Sequence, residues 1–111
     1  MYIASQEMEM TIPFAIEEFV AMKKNTLLGF ACVRTPSGLL FHDVAMHRKG
    51  DICWASPASK PQMGRDGTQM RAPDGKLLWR PVVSFSSKKA RDNWSSSVIE
   101  ALKASHPEAF E

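Results

Sequence analysis

What this chain lacks narrows it first. It has two cysteines, Cys32 and Cys53, too few for the disulfide framework that holds small secreted domains together. No apolar run approaches the roughly 20 residues a membrane-spanning helix needs, and no basic segment leads into an apolar one as in a secretory signal. A cytoplasmic, reduced protein with no membrane partner is the expectation. Charge of one sign is also lacking: 14 Lys and Arg stand against 12 Asp and Glu, a net charge of +2. Binding through bulk positive charge is excluded, so any nucleic-acid surface must come from clustering. There is no phosphate-cradling loop: Gly64-Arg65-Asp66-Gly67 has neither the loop lysine nor the dinucleotide spacing and reads as a turn. Internal repeats, low-complexity tracts and heptad arrays are missing as well.

Metal and catalytic chemistry fare no better. Cys32, Cys53, His42 and His47 are ligand types, but their spacing matches no zinc motif. The cysteines read as small buried side chains, and no metal or cofactor is expected. His42 and Asp43 are neighbours on an expected strand, so their side chains diverge. No serine stands out as a nucleophile beside them. The chain is expected not to be an enzyme, with no catalytic residue.

What is present is one domain's worth of chain: 111 residues, 44% hydrophobic, enough for a single core. Residues 1–24 hold four of the seven methionines and four glutamates and are read as an N-terminal arm, partly disordered or a short helix. Pro13 suits a first helical turn, and Ile16, Phe19, Val20 and Lys23 fall at helical spacing over Phe14–Lys23. The domain proper is expected over 25–111. Leu27–Arg34, Leu39–His47 and Ile52–Ser56, split by Thr35-Pro36-Ser37-Gly38 and Arg48-Lys49-Gly50-Asp51, read as an antiparallel meander. Pairing Arg34 with Leu39 and His47 with Ile52 collects Leu28, Phe30, Cys32, Phe41, Ile52 and Trp54 on one face. That face is suited to receive a helix. The other, with Ala31, Val33, Val44, Met46 and Ala55, is smaller but also apolar, so it needs cover from the arm or from another subunit.

Pro57–Lys76 is a long connection rich in turn formers. Leu77–Phe85 is expected as the fourth strand, on an edge because Pro81 cannot donate a ladder bond. Ser86 or Ser87 then caps a helix in which Ala90, Trp94, Val98, Ala101 and Leu102 recur at helical spacing. The expected fold class is α+β: a four-stranded antiparallel meander sheet with one C-terminal helix packed on one face.

That helix opens on Lys88, Lys89 and Arg91, where the helix dipole disfavours cations and favours an approaching anion. Lys60, Arg65, Arg71 and Arg80 supply further positive charge upstream, and Trp79 beside Arg80 is either a packing residue or a base-stacking platform.

The elements Phe41-His42-Asp43-Val44, Ser59-Lys60-Pro61 and Asp74-Gly75-Lys76, with Ser86-Ser87 leading into Lys88, Lys89 and Arg91, resemble in order and spacing the SpoVG family of small bacterial proteins, named for stage V of sporulation. The resemblance runs from about Leu27 to Leu102. Gln62–Ala72 looks like an insertion, Ala58 stretches the proline-serine-lysine turn, and residues 1–24 replace the family's N-terminal strand. The resemblance implies a dimeric DNA- and RNA-binding regulator of bacterial or phage origin, whose DNA contact maps onto Lys88, Lys89 and Arg91. The expected partners are therefore DNA or RNA and a second copy of the chain. Two other functions remain open: a single-strand-binding module of the transcription-coactivator or Whirly type, and a protein-interaction module using the Met-rich arm.

Overall fold

The computed structural model describes residues 13–111. Its centre is a four-stranded antiparallel sheet, β1 (Ala15–Lys24), β2 (Leu27–Arg34), β3 (Leu40–Lys49) and β4 (Ile52–Ser56), in the spatial order of the chain. One helix, α1 (Lys88–Ser105), packs on one face and runs into a short 3-10 turn, Pro107–Phe110. The α+β architecture is that of the expected class, but two of its strands differ.

The segment expected as a helix over Phe14–Lys23 is a strand. From Ala15 it forms the edge β1, paired to β2 through Phe19↔Ala31, Val20↔Phe30 and Ala21↔Gly29. Glu17 and Glu18 share the width of one residue on β2, a bulge between Ile16 and Glu18. A bulge adds a residue on one strand, which puts Ile16 and Phe19 on the same face at a spacing of three. That spacing imitates a helix. The remainder of the expected Met-rich arm, residues 1–12, lies outside the described residues.

The expected fourth strand over Leu77–Phe85 does not join the sheet. Only Trp79–Pro81 is extended and paired; this is β6, and it pairs with β5 (Ser59–Pro61) in a separate two-stranded ribbon. Prolines at Pro61 and Pro81 remove ladder donors at opposite corners, which fits strands this short. Beyond them the ribbon branches. Gln62 N–H donates to Leu78 C=O (3.0 Å), Leu78 N–H to Met70 C=O (2.9 Å) and Met70 N–H to Gln62 C=O (2.8 Å), closing a three-way junction. Two small hairpins leave it, with bridges Met63↔Gln69 and Arg71↔Leu77. Their turns carry Gly67 (φ +82°) and Gly75 (φ +90°), a conformation glycine adopts without strain.

The helix also covers the face opposite to the expected one. The buried core joins Ala31, Val33, Val44, Met46 and Ala55 of the sheet to Val98, Ile99 and Leu102 of α1 and Ala109 beyond it. A second bulge explains part of the difference. Ala31↔Val44 and Val33↔Phe41 leave His42 and Asp43 together opposite Cys32, and Asp43 has φ +57°. Phe41 is thereby turned to the helix side, where its ring meets Trp94 at 5.7 Å. The short side chains on this face let the helix sit close. Gly29 is required by the neighbouring strand instead: a Cβ there would lie 2.3 Å from the Val20 carbonyl and 2.8 Å from the Phe19 ring, both of β1. Ser95 of α1 also accepts a hydrogen bond from the Ala55 amide of edge strand β4 at 2.8 Å, a donor the sheet leaves free.

The opposite face, which no helix of the described residues covers, presents the row Val20–Phe30–Ala45–Ser56 across the strands. Above it runs Lys24–Leu27–His47–Trp54, with His47 and Trp54 stacked at 5.1 Å. Val20 is 54% exposed and Ile52 69%. Among the described residues no helix is long and apolar enough to cross a membrane.

Candidate functional site

The helix begins where the sequence places it. Ser87 is the N-cap, and its hydroxyl accepts the Ala90 amide at 3.1 Å, as capping requires. No acidic residue stands in the first turn, but one follows directly. Asp92 accepts from Lys88 Nζ at 2.5 Å and from Arg91 Nε at 3.4 Å. The Lys88 hydrogen bond first, then the charges of Lys88 and Arg91, hold the Asp92 carboxyl below its usual range. Two of the three helix-start cations are therefore partly neutralised, and Lys89 alone has no carboxylate partner among the described residues.

The ribbon supplies the rest. Lys60 and Arg80 are directly paired across β5 and β6, so their side chains leave from the same face. Like charges directly opposite on a ribbon are destabilising, and no acidic side chain of the described residues joins them. Their neighbours Pro61↔Trp79 and Ser59↔Pro81 face the other way. Trp79 is 56% exposed. It lines a groove of about 570 Å³ with Pro57, Pro81, Phe85, Ser87, Lys88 and Arg91, between the foot of the ribbon and the start of α1. Arg65 and Arg71 lie further out, on the two hairpins. Arg71 Nη1 donates to the Gly75 carbonyl at 2.8 Å and steadies its own turn. Asp66, opposite Arg65 in the first turn, is engaged by the amide and hydroxyl of Thr68.

The fold thus brings Trp79, Lys88 and Arg91 to one groove and Lys60 and Arg80 to the back of the same ribbon. Lys89 remains on the exposed helix start, Arg65 on the turn of the first hairpin and Arg71 at the base of the second. Chemically, the arrangement offers a flat aromatic surface among cations, suited to a polyanion that carries planar groups. The Lys60–Arg80 pairing escaped the sequence reading because the register of the ribbon depends on its branching, which no local pattern announces.

His42 and Cys32, expected on opposite faces, line one small depression with Glu18 and Asp43. Burial, and then the charges of Glu17, Glu18 and Asp43, push the Cys32 thiol up, which disfavours the thiolate a nucleophile or ligand needs. Among the described residues no three His, Cys, Asp or Glu side chains gather as a metal site. Comparison with protein-family models, with curated proteins and with solved structures finds no match to this chain.

Proposed function

We propose that this protein binds nucleic acid, DNA or RNA, as a small dimeric regulator, meeting phosphates with the ribbon and the start of α1. The observation that carries the reading is the directly opposed pair Lys60 and Arg80, on the ribbon face opposite the exposed Trp79, which lines a groove with Lys88 and Arg91. Two cations set face to face with no acidic partner among the described residues gain when an anion joins them. Phosphates are such anions, and their neutralisation supplies affinity and salt dependence without reading sequence. The motif order that resembles SpoVG proteins implies the same reading.

Within it, the exposure of Trp79 favours single strands. A ring on a ribbon surface stacks against an unpaired base, worth about 1–3 kcal/mol per base, whereas the bases of a duplex are already stacked. The test is fluorescence anisotropy of labelled single-stranded DNA, duplex DNA and RNA with the full chain. Trp79→Ala is expected to weaken single-strand binding about 5- to 100-fold and duplex binding little. Absence of binding to all three ligands at low salt would refute the nucleic-acid reading and leave a protein-interaction module as the alternative.

A further inference from the structure

The sheet face that no helix of the described residues covers is long, apolar in its middle and polarised along the strands. At the β1–β2 and β3–β4 turns it carries the exposed lysines Lys24 and Lys49. At the opposite end it carries Glu18 on β1 and Asp43 in the β3 bulge. Glu17 lies at that same end but is already occupied by Arg34 at 3.2 Å. Between the two ends lies the row Val20–Phe30–Ala45–Ser56, and the Lys24 row and the Glu18 row stand on either side of it.

A two-fold axis lying in the plane of this face and crossing the strands at the middle row has a definite effect. It turns the lysine end of one copy onto the acidic end of the other, and lays Val20 and Phe30 of the two copies against each other. An isologous contact must be self-complementary, and a face basic at one end and acidic at the other, with an apolar centre, satisfies this in one orientation only. An axis along the strands would set lysines on lysines. We infer that two copies of this chain pair face to face through this sheet surface, antiparallel along the strands, with Lys24 of each copy opposite Glu18 of the other. The inference rests on the dimeric part of the proposed function and is independent of nucleic-acid binding.

Strand spacing and rise give the face an area of about 500 Å² per copy, or about 1,000 Å² in all, which is at the lower edge of specific interfaces. A reversible dimer is therefore expected rather than an obligate one. Sheets packed this way align within about 30°, so side chains from both middle rows can interdigitate.

Sedimentation velocity of the full chain over a range of concentrations, without nucleic acid, tests this. The wild type is expected to shift from monomer to dimer as concentration rises. Val20→Asp and Ile52→Asp, both at exposed positions and so compatible with folding, are expected to leave only monomer, with an unchanged circular dichroism spectrum. Glu18→Lys and Lys24→Glu, each alone, are expected to raise the dissociation constant at least about tenfold by setting like charges together. Mixing the two variants is expected to restore a dimer at wild-type concentrations or below, since one then offers two cations and the other two anions. A wild-type monomer at every concentration overturns the inference. A dimer that survives Val20→Asp and Ile52→Asp overturns this surface while leaving dimerisation itself standing. Failure of the mixture to recover overturns the antiparallel arrangement.

Discussion

Lys60, Arg80 and Lys89 are the cations whose removal isolates phosphate contact from folding. All three are exposed, and none has a carboxylate partner among the described residues. Lys88 and Arg91 are poorer choices because both hold Asp92, so that losing either disturbs the first turns of α1. In the triple variant Lys60→Ala/Arg80→Ala/Lys89→Ala three phosphate contacts are lost. Each contact contributes about 0.7 to the slope of log affinity against log salt for a single strand, so the slope is expected to become shallower by about 2. Between 50 and 200 mM salt the variant's affinity should then fall by a factor about 20 times smaller than the wild type's. Anisotropy titrations of a labelled single strand at three salt concentrations measure both slopes, and a thermal melt checks that the variant is folded. Relief of the Lys60–Arg80 repulsion predicts a melt equal to or slightly above wild type. A folded variant with an unchanged slope refutes the assignment of these side chains to phosphates.

Two further predictions concern the scaffold. Leu102 is fully buried at the centre of the helix–sheet contact, so Leu102→Ala is expected to cost about 2–5 kcal/mol, read as a lowered urea midpoint with unchanged slope; a loss under about 1 kcal/mol would mean that α1 does not seal this core. Burial lowers the pKa of His47, whose Nδ1 lies 3.0 Å from the Thr26 hydroxyl, so the unfolded chain takes up the proton first as pH falls. Its contribution to stability is complete above pH about 6.5 and is lost as the pH drops from there through the lower folded value. Urea midpoints at pH 7.5 and 5.5 are expected to differ less in His47→Gln than in the wild type, and equal differences would remove His47 as the cause.

The elements legible in the sequence are those whose apolar run stands between clear turn or capping signals. Leu27–Arg34 and Ile52–Ser56 read as the strands they are, and α1 announces itself through Ser87 and the Trp94, Val98, Leu102 stripe. β1 did not, because the Glu17–Glu18 bulge converts a spacing of two into a spacing of three, and Pro13 reinforces the helical pattern. The assignment of faces failed for a related reason. The His42–Asp43 bulge turns Phe41 across the sheet, and bulk alone wrongly suggested that the helix seeks the aromatic side, whereas the core that α1 seals is built on Ala31, Val33, Val44, Met46 and Ala55. The cations of the candidate site were visible as residue types, but their pairing was not, since Lys60 and Arg80 are 20 positions apart and meet only through the branched ribbon.

The three-way junction of that ribbon has a consequence for how the molecule can change. Main-chain bonds among Gln62, Met70 and Leu78 hold it, with Gln69 Nε2 adding a bond to the Leu78 carbonyl at 3.0 Å, and the two hairpins beyond it contribute nothing to the sheet–helix core. Each hairpin is therefore a cassette: its tip can be lengthened, shortened or exchanged at little cost to the rest of the fold. Its amides should exchange with solvent water long before those of β2 and β3, whether or not the molecule as a whole unfolds. A chain built this way can diversify what it touches while keeping what it is.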